Sequence, residues 1–230
     1  MRASDRAYAT LRNDIVQWRL PPGSVLAEVD QALRLGVSRT PLREALARLA
    51  ADGLAAPHSG RSMVVTDISL DHVSELFELR GALECRAAEL AAERGDRHVF
   101  ATLAQEFSAA ATALEGPAAA PGSAAVAAGP EGSGDPEDPG RSEYYALVDR
   151  LDSAIDAAAG NAYLAQALRN LRVHLVRVRR LSRDNPPRLI EAAREHATIA
   201  EAIAAGQRSL AAAATTVHLS KSLKHLLCTH

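Results

Sequence analysis

The segment from residue 35 to residue 46 constrains this chain more than any other, and it reads Leu-Gly-Val-Ser-Arg-Thr-Pro-Leu-Arg-Glu-Ala-Leu. Gly36 stands where helices commonly end in the left-handed conformation, and Ser38 stands where the next helix can be capped. Pro41 falls in the first turn of that helix, where its missing N–H costs little. The pattern predicts two helices joined by a tight turn, and apolar spacing predicts a further helix ahead of them over 8–18.

The start of the second of these two helices carries side chains that suit nucleic acid. Arg39 and Arg43 can each bind guanine through two hydrogen bonds, and the hydroxyls of Ser38 and Thr40 can bond phosphates. This arrangement is typical of a helix-turn-helix. The alternative is that both arginines belong to a solvated helix face, with Arg43 and Glu44 in surface ion pairs.

Two short strands are predicted after this helix, over 53–56 and 63–66, and together they would form a β-hairpin wing. Gly60 at the wing tip would let the backbone approach a duplex closely, and Arg61 could reach the minor groove or a phosphate. Residues 1–66 have a formal charge of +3 in a chain of formal charge -2. We therefore predict a DNA-binding domain over 1–66.

The remainder of the chain, 67–230, has helical periodicity almost throughout. Aromatic residues make up only 3% of the sequence while alanine is abundant, which favours helices packed through small side chains. The predicted fold is mostly α, with the winged helix-turn-helix followed by an antiparallel α-helical bundle. The segment 116–141 is rich in Gly, Pro, Ala and Ser and is predicted to be a disordered insertion. The predicted helices cover approximately 70–93, 96–115, 142–158, 162–182, 187–205 and 207–227.

Four ionisable residues fall on the apolar faces of these helices. Arg80 would either form an internal salt bridge with Glu84 or clamp a ligand carboxylate. Asp152, His196 and His218 lie on three different helices, each among apolar neighbours. Two imidazoles and a carboxylate suit Zn, Ni, Mn or Fe(II), whereas the alternative is a pair of hydrogen-bonded core histidines.

Taken together, these motifs resemble a known family. The winged helix-turn-helix of the GntR family of bacterial transcription regulators is similar to LRNDIVQWRLPPGSVLAEVDQALRLGVSRTPLREALARLAADGL. The C-terminal domain of its FadR subfamily is similar to VSELFELRGALECRAAELAAER, AIDAAAGN and EHATIAEAIAAGQRSLAAAATTVHL. The wing segment HSGRSMVVT departs from the family's usual Arg-Gly-aromatic-Val run. The resemblance implies a homodimer whose bundle binds a small effector and often a divalent metal.

The resemblance also assigns roles to individual residues. Arg80 would face the effector, and His196 and His218 stand at two of the subfamily's three metal-binding histidine positions. Asp152 stands at the third, nine residues before the asparagine of the Gly-Asn motif, and Val148 stands at the position of the subfamily's aspartate. The implied ligand set is thus reduced to Asp152, His196 and His218.

The function predicted from the sequence is a ligand-responsive DNA-binding regulator. Its expected partners are a double-stranded DNA operator, a second copy of the chain and a small organic acid effector, with a divalent metal as the possible cofactor. The alternatives are a constitutive DNA binder whose bundle only dimerises, and a metal-dependent enzyme. The chain has no apolar run of about 18 residues, no secretory signal and only two cysteines, which favours the cytoplasm and no membrane partner.

Overall fold

A computed structural model describes residues 1–58, 62–115, 139–181 and 185–228. The chain divides into two compact units, one of Met1–Leu76 with Arg169–Arg183 and the other of Phe77–Leu168 with Asp184–His230. The elements of the described residues are, in chain order, α1 (Ala3–Val16), β1 (Val25–Ala27), α2 (Glu28–Leu35), α3 (Arg39–Ala51), β2 (Ala55–Pro57), β3 (Ser62–Val65), α4 (Leu70–Arg94), α5 (Arg97–Glu115), α6 (Pro139–Ala159), α7 (Ala162–Leu181), α8 (Pro186–Ala204) and α9 (Arg208–Cys228).

The first unit, called here the winged unit, packs helices α1 to α3 against a small antiparallel sheet. The strand order is β1-β3-β2, and Val64 of β3 is paired with Val25 on one side and Ala56 on the other. The sequence predicts the hairpin of β2 and β3 but not β1. The fully buried side chains of its core include Leu11, Ile15, Leu26, Leu42, Leu49 and Leu54.

The turn before α3 has the predicted backbone conformation. Gly36 ends α2 in the left-handed region, with φ +61° and ψ +36°. Ser38 occupies the N-cap position of α3 in an extended conformation, but its hydroxyl makes no capping hydrogen bond. The turn therefore determines where α3 begins, and burial of Leu42, Ala45 and Leu49 determines which face of α3 points inward.

In the second unit, called here the bundle unit, the described residues form helices joined by short turns. Helix α8 packs against α5 and α9, and α6 packs against both α5 and α8. Small side chains line the helix contacts, which lets the backbones approach closely, while Phe100 and Phe107 fill the interior. The buried alanines of this core include Ala88, Ala91, Ala104, Ala193, Ala200 and Ala211.

Two segments singled out in the sequence lie wholly or mostly outside the described residues. Most of the predicted insertion, 116–138, lies outside them, as do the wing-tip residues 59–61. The end of the predicted insertion is wrong, because α6 already begins at Pro139, and proline is well suited to the first position of a helix. Of the helices in the described part, none has the length and apolar character needed to span a bilayer.

Candidate functional site

The outer face of α3 is the first candidate site. Its inner face buries Leu42 and Ala45, whereas Arg39, Thr40 and Arg43 are exposed on the first turns, next to the exposed Ser38. The structure therefore brings four of the sequence-predicted DNA-binding residues onto one surface at a helix N-terminus, where the partial positive charge of the backbone also favours phosphate. Gly60 and Arg61 lie outside the described residues, so their contacts stay predictions.

Arg43 is oriented by a carboxylate from α2. Its Nε donates to both carboxylate oxygens of Glu28, at 2.9 Å each, and the Glu28 side chain is only 15% exposed. The hydrogen bond from Arg43 to Glu28, followed by the charge of Glu28, raises the pKa of Arg43. The alternative drawn from the sequence paired Arg43 with Glu44, its chain neighbour, and it missed Glu28, which is fifteen residues away.

The second candidate site is a buried polar cluster in the bundle unit, centred on Glu195 of α8. Its carboxylate accepts hydrogen bonds from Nδ1 of His218 at 2.7 Å and from the two terminal nitrogens of Arg188 at 2.9 and 2.8 Å. Lys221 lies 3.2 Å from the same carboxylate. The Glu195 residue is 8% exposed, so this anion is stabilised by its partners rather than by water.

These contacts and their burial shift the pKa values of both members of the pair. Burial alone would raise the pKa of Glu195, but the hydrogen bonds from His218 and Arg188 outweigh it and lower this pKa to about 2. Burial lowers the pKa of His218, and the nearby charge of Arg80 acts in the same direction, against the hydrogen bond to Glu195. A neutral imidazole that donates from Nδ1 has its lone pair on Nε2. His218 therefore offers an acceptor at Nε2.

The low pKa of Glu195 predicts a loss of stability in acid. Because the folded-state pKa lies below the ordinary 4.5, the stabilisation is fully present above about pH 4.5 and is lost as the pH falls toward 2. The check is urea unfolding of the wild type and of Glu195→Gln between pH 7 and pH 3: the difference in unfolding free energy shrinks with acidification, and a constant difference would contradict the assignment.

The two histidines singled out in the sequence lie side by side. The ring centroids of His196 and His218 are 4.4 Å apart, and His196 stacks on Phe107 at 5.0 Å. Nδ1 of His196 is 3.1 Å from the hydroxyl of Tyr144 on α6. Both imidazoles are thus held by side chains from neighbouring helices in a buried site.

Arg80 of α4 is 7% exposed and forms the internal salt bridge that was one of its two predicted roles. Its Nε lies 2.8 Å from one carboxylate oxygen of Glu84, and a terminal nitrogen lies 3.3 Å from the other. Its guanidinium also stacks 4.6 Å from the ring centroid of Phe77. Because its charge acts on His218, Arg80 belongs to the same electrostatic environment as the Glu195 cluster.

The predicted metal set of Asp152, His196 and His218 does not fit a metal centre in this structure. Across the described ranges, no three His, Cys, Asp or Glu side chains are grouped so that they could hold a metal ion. The carboxylate that contacts His218 is that of Glu195, and it is already bonded to His218, Arg188 and Lys221. Two imidazoles alone are fewer than the three or four protein donors of zinc sites.

Sequence reasoning missed Glu195, Arg188 and Tyr144, although part of the signal was present. Arg188 and Glu195 are seven residues apart, which is two helical turns, and this places them on one face of α8. Glu195 immediately precedes His196, so its burial requires the polar partners that α9 and Arg188 supply. Tyr144 carried no such signal, since its contact with His196 depends on the packing of α6 against α8.

Two family models match this chain. Residues 3–65 match the model of the bacterial regulatory proteins of the gntR family, and residues 75–221 match the FCD domain. The chain belongs to the GntR family of transcription regulators with an FCD domain, and it is a regulator rather than an enzyme.

Similar proteins agree with this family. A probable D-xylose utilization operon transcriptional repressor of Paenarthrobacter nicotinovorans is 30% identical over 91% of this chain and 82% of its own length. The HTH-type transcriptional repressor RspR of Escherichia coli K12 is 38% identical over 39% of each chain, and an uncharacterized regulator of Agrobacterium vitis is 40% identical over 36% of this chain. The match spans 48% of the Agrobacterium protein, less than half of its length.

Solved structures show the same fold. Escherichia coli McbR/YncC superimposes with a TM-score of 0.70 at 20% identity, covering 99% of this chain and 98% of that protein. A GntR regulator from Rhodococcus sp. RHA1 superimposes with a TM-score of 0.68 at 20% identity, covering 99% and 98% of the two chains.

Proposed function

We propose that this protein is a homodimeric, ligand-responsive repressor whose affinity for a DNA operator changes when a small organic acid binds in the helical bundle. Residues 1–66 would read the duplex, and 67–230 would dimerise and bind the effector. Two relatives carry the word repressor in their names, which supports the sign of regulation. A dimer would place two recognition helices on two half-sites and so multiply the specificity of one.

The DNA-reading part of the proposal is based on the exposed start of α3. Arg39 and Arg43 would contact guanine edges or phosphates, and the hydroxyls of Ser38 and Thr40 would anchor phosphates. Glu28 would hold the Arg43 guanidinium in a defined direction before the duplex arrives. Gly60 and Arg61 complete the proposed interface at the wing.

The effector part is supported by one observation above all, a buried Arg80 and a half-buried Arg188 in the unit that also buries His196 and His218. A carboxylate is the ligand group that a guanidinium binds best, and Arg80 could exchange Glu84 for it. Nε2 of His218 could accept a hydrogen bond from a hydroxyl of the ligand. A small hydroxylated acid, held by protein groups without a metal, fits these groups best.

A thermal-shift screen of hydroxylated organic acids in EDTA tests this site. At a concentration one hundred times its dissociation constant, a bound acid adds about 2.7 kcal/mol of stability, which raises Tm by several degrees. We expect Arg80→Gln to lose most of this shift. The control is Arg86→Gln, which removes an exposed, ion-paired arginine from the same helix and should respond like the wild type.

Three outcomes would contradict the effector proposal. If no acid stabilises the wild type, the bundle is better explained as a dimerisation scaffold of a constitutive DNA binder. An equal shift in Arg80→Gln and wild type would show that Arg80 takes no part. A shift that appears only when ZnCl2, NiCl2 or MnCl2 replaces EDTA would show that the site is completed by a metal.

A further inference from the structure

Helix α7 contributes to both compact units. Its residues up to Leu168 belong to the bundle unit, and those from Arg169 onward belong to the winged unit. Leu168 is buried in the core of the bundle unit, and Val173, five residues later, is buried in the core of the winged unit. The helix contains neither proline nor glycine, the usual causes of kinks. One continuous helix therefore has a buried anchor in each core.

Within the winged unit, α7 buries an arginine against the end of β3. Arg177 is 2% exposed, and its terminal nitrogens donate to the backbone oxygen of Thr66 and, at 3.1 Å, to the Thr66 hydroxyl. The Thr66 hydroxyl in turn donates to the carbonyl oxygen of Gly53 at 2.8 Å. The Arg177 Nε is buried and has no hydrogen-bond partner among the described residues.

Burying a guanidinium costs free energy unless a nearby carboxylate compensates its charge. Burial lowers the pKa of Arg177, and the charge of Asp67 opposes this shift. Yet the hydrogen bonds of Arg177 go to a carbonyl and a hydroxyl of Thr66 rather than to that carboxylate. Arg177 therefore contributes little to the net stability of the fold. Its hydrogen bonds instead fix the position of Thr66 relative to α7.

A second residue of α7 contacts the end of the recognition helix itself. Nε2 of His174 lies 2.9 Å from the carbonyl oxygen of Asp52, the C-cap residue of α3. The next residue, Gly53, has φ +70°, and a Cβ there would lie 3.4 Å from Cε1 of His174, which shows how closely the ring approaches the turn. His174 thus supplies a donor to a helix end whose carbonyls lack partners within the helix.

We infer that Arg177 and His174 are positioning residues that set the orientation of the recognition helix from its C-terminal end. They hold the turn at Asp52 and Gly53, while the DNA-reading face lies at the other end of α3, roughly 18 Å away along a helix of thirteen residues. The pair acts on DNA affinity without touching DNA.

The test uses the full-length protein and a duplex that the wild type selects from a randomised pool. We expect Arg177→Gln to weaken binding of that duplex roughly tenfold, because hydrogen bonds from a charged donor are lost. The slope of log affinity against log salt should stay at the wild-type value, since no phosphate contact is removed. Hydrogen exchange at the amides of 52–54 should accelerate, and Arg177→Lys should recover part of the affinity.

Two further variants keep the test decisive if Arg177→Gln folds poorly. Thr66→Val removes only the hydroxyl that links Arg177 to Gly53, and His174→Leu removes only the donor to Asp52; both should weaken binding several-fold at an unchanged salt slope. The control is Arg169→Gln, which makes the same change of charge at an exposed position of α7.

The inference is overturned if Arg177→Gln, Thr66→Val and His174→Leu bind the duplex as the wild type does. It is also overturned if their losses come with a shallower salt slope, which would mean that Arg177 contacts phosphate. Failure of the proposed function has a different signature, because the wild type would then select no duplex at all.

Discussion

Replacing Arg39 and Arg43 together by glutamine is expected to lower affinity for the selected duplex by two to four orders of magnitude. Each arginine that contacts a base or phosphate contributes about 1–3 kcal/mol, and both side chains are exposed at the start of α3. Fluorescence anisotropy at several salt concentrations measures the loss. If the arginines contact phosphates, the salt slope also becomes shallower by about one unit for each contact removed.

The matched control for this double variant is Arg86→Gln. Arg86 is an equally exposed arginine in the bundle unit that pairs with Glu89, so its loss changes the net charge but not the proposed interface. We expect affinity within about twofold of the wild type, the effect of one distant surface charge. Wild-type affinity in the double variant, with normal helicity, would remove the basis for assigning DNA recognition to α3.

Glu195→Gln is expected to destabilise the bundle unit by about 3 kcal/mol, the usual cost of breaking a buried ion pair. The substitution keeps the shape of the side chain but leaves the half-buried Arg188 without the carboxylate that binds both its terminal nitrogens. The single amide oxygen of glutamine can take the place of only one carboxylate oxygen, so the NH2 group must face either His218 Nδ1 or an Arg188 nitrogen. Urea unfolding at pH 7, followed by far-UV circular dichroism, measures the change.

Glu191→Gln provides the control on the same helix. Glu191 lies one turn earlier than Glu195, is 57% exposed, and approaches Arg188 only to 3.8 Å. An exposed pair of this kind contributes less than about 1 kcal/mol, so the control variant should unfold close to the wild-type midpoint. If both substitutions lowered the unfolding free energy equally, the buried Glu195 cluster would stabilise the protein no more than an exposed ion pair does.

The helix-turn-helix could be predicted from the sequence because its determinants are local. Gly36 in the left-handed conformation and the apolar spacing of α3 operate within a few residues, and they set which face of α3 is exposed. Helical periodicity likewise placed His196 and His218 on inward faces of adjacent helices, and the structure brings their rings together.

What the sequence could not supply are the contacts between distant elements. The pairing of Glu28 with Arg43 requires the angle between α2 and α3, and the bidentate contact of Arg188 with Glu195 requires particular side-chain rotamers. The metal prediction depends on contacts of the same kind. Helical periodicity places Asp152 on the same helix face as apolar residues. It does not tell which side chains contact the two imidazoles. Packing made Glu195 the carboxylate of the cluster.

The division of the chain into two compact units does not follow the order of residues along the sequence. A boundary at residue 66 follows from the change in composition and periodicity, whereas residues 169–183 of a much later segment belong to the winged unit. No local pattern distinguishes the first and second halves of α7. Only the burial of Val173 and Arg177 against residues more than one hundred positions earlier does so.

In the proposed function, a ligand bound in the bundle unit changes the affinity for DNA. The most direct test is the dissociation constant of the selected duplex with and without the organic acid that most stabilises the wild type, measured at one salt concentration in EDTA. The proposal predicts a change of about 5- to 150-fold, the usual range of coupling between two sites, and its loss in Arg80→Gln. Equal dissociation constants with and without a bound, stabilising acid would contradict it.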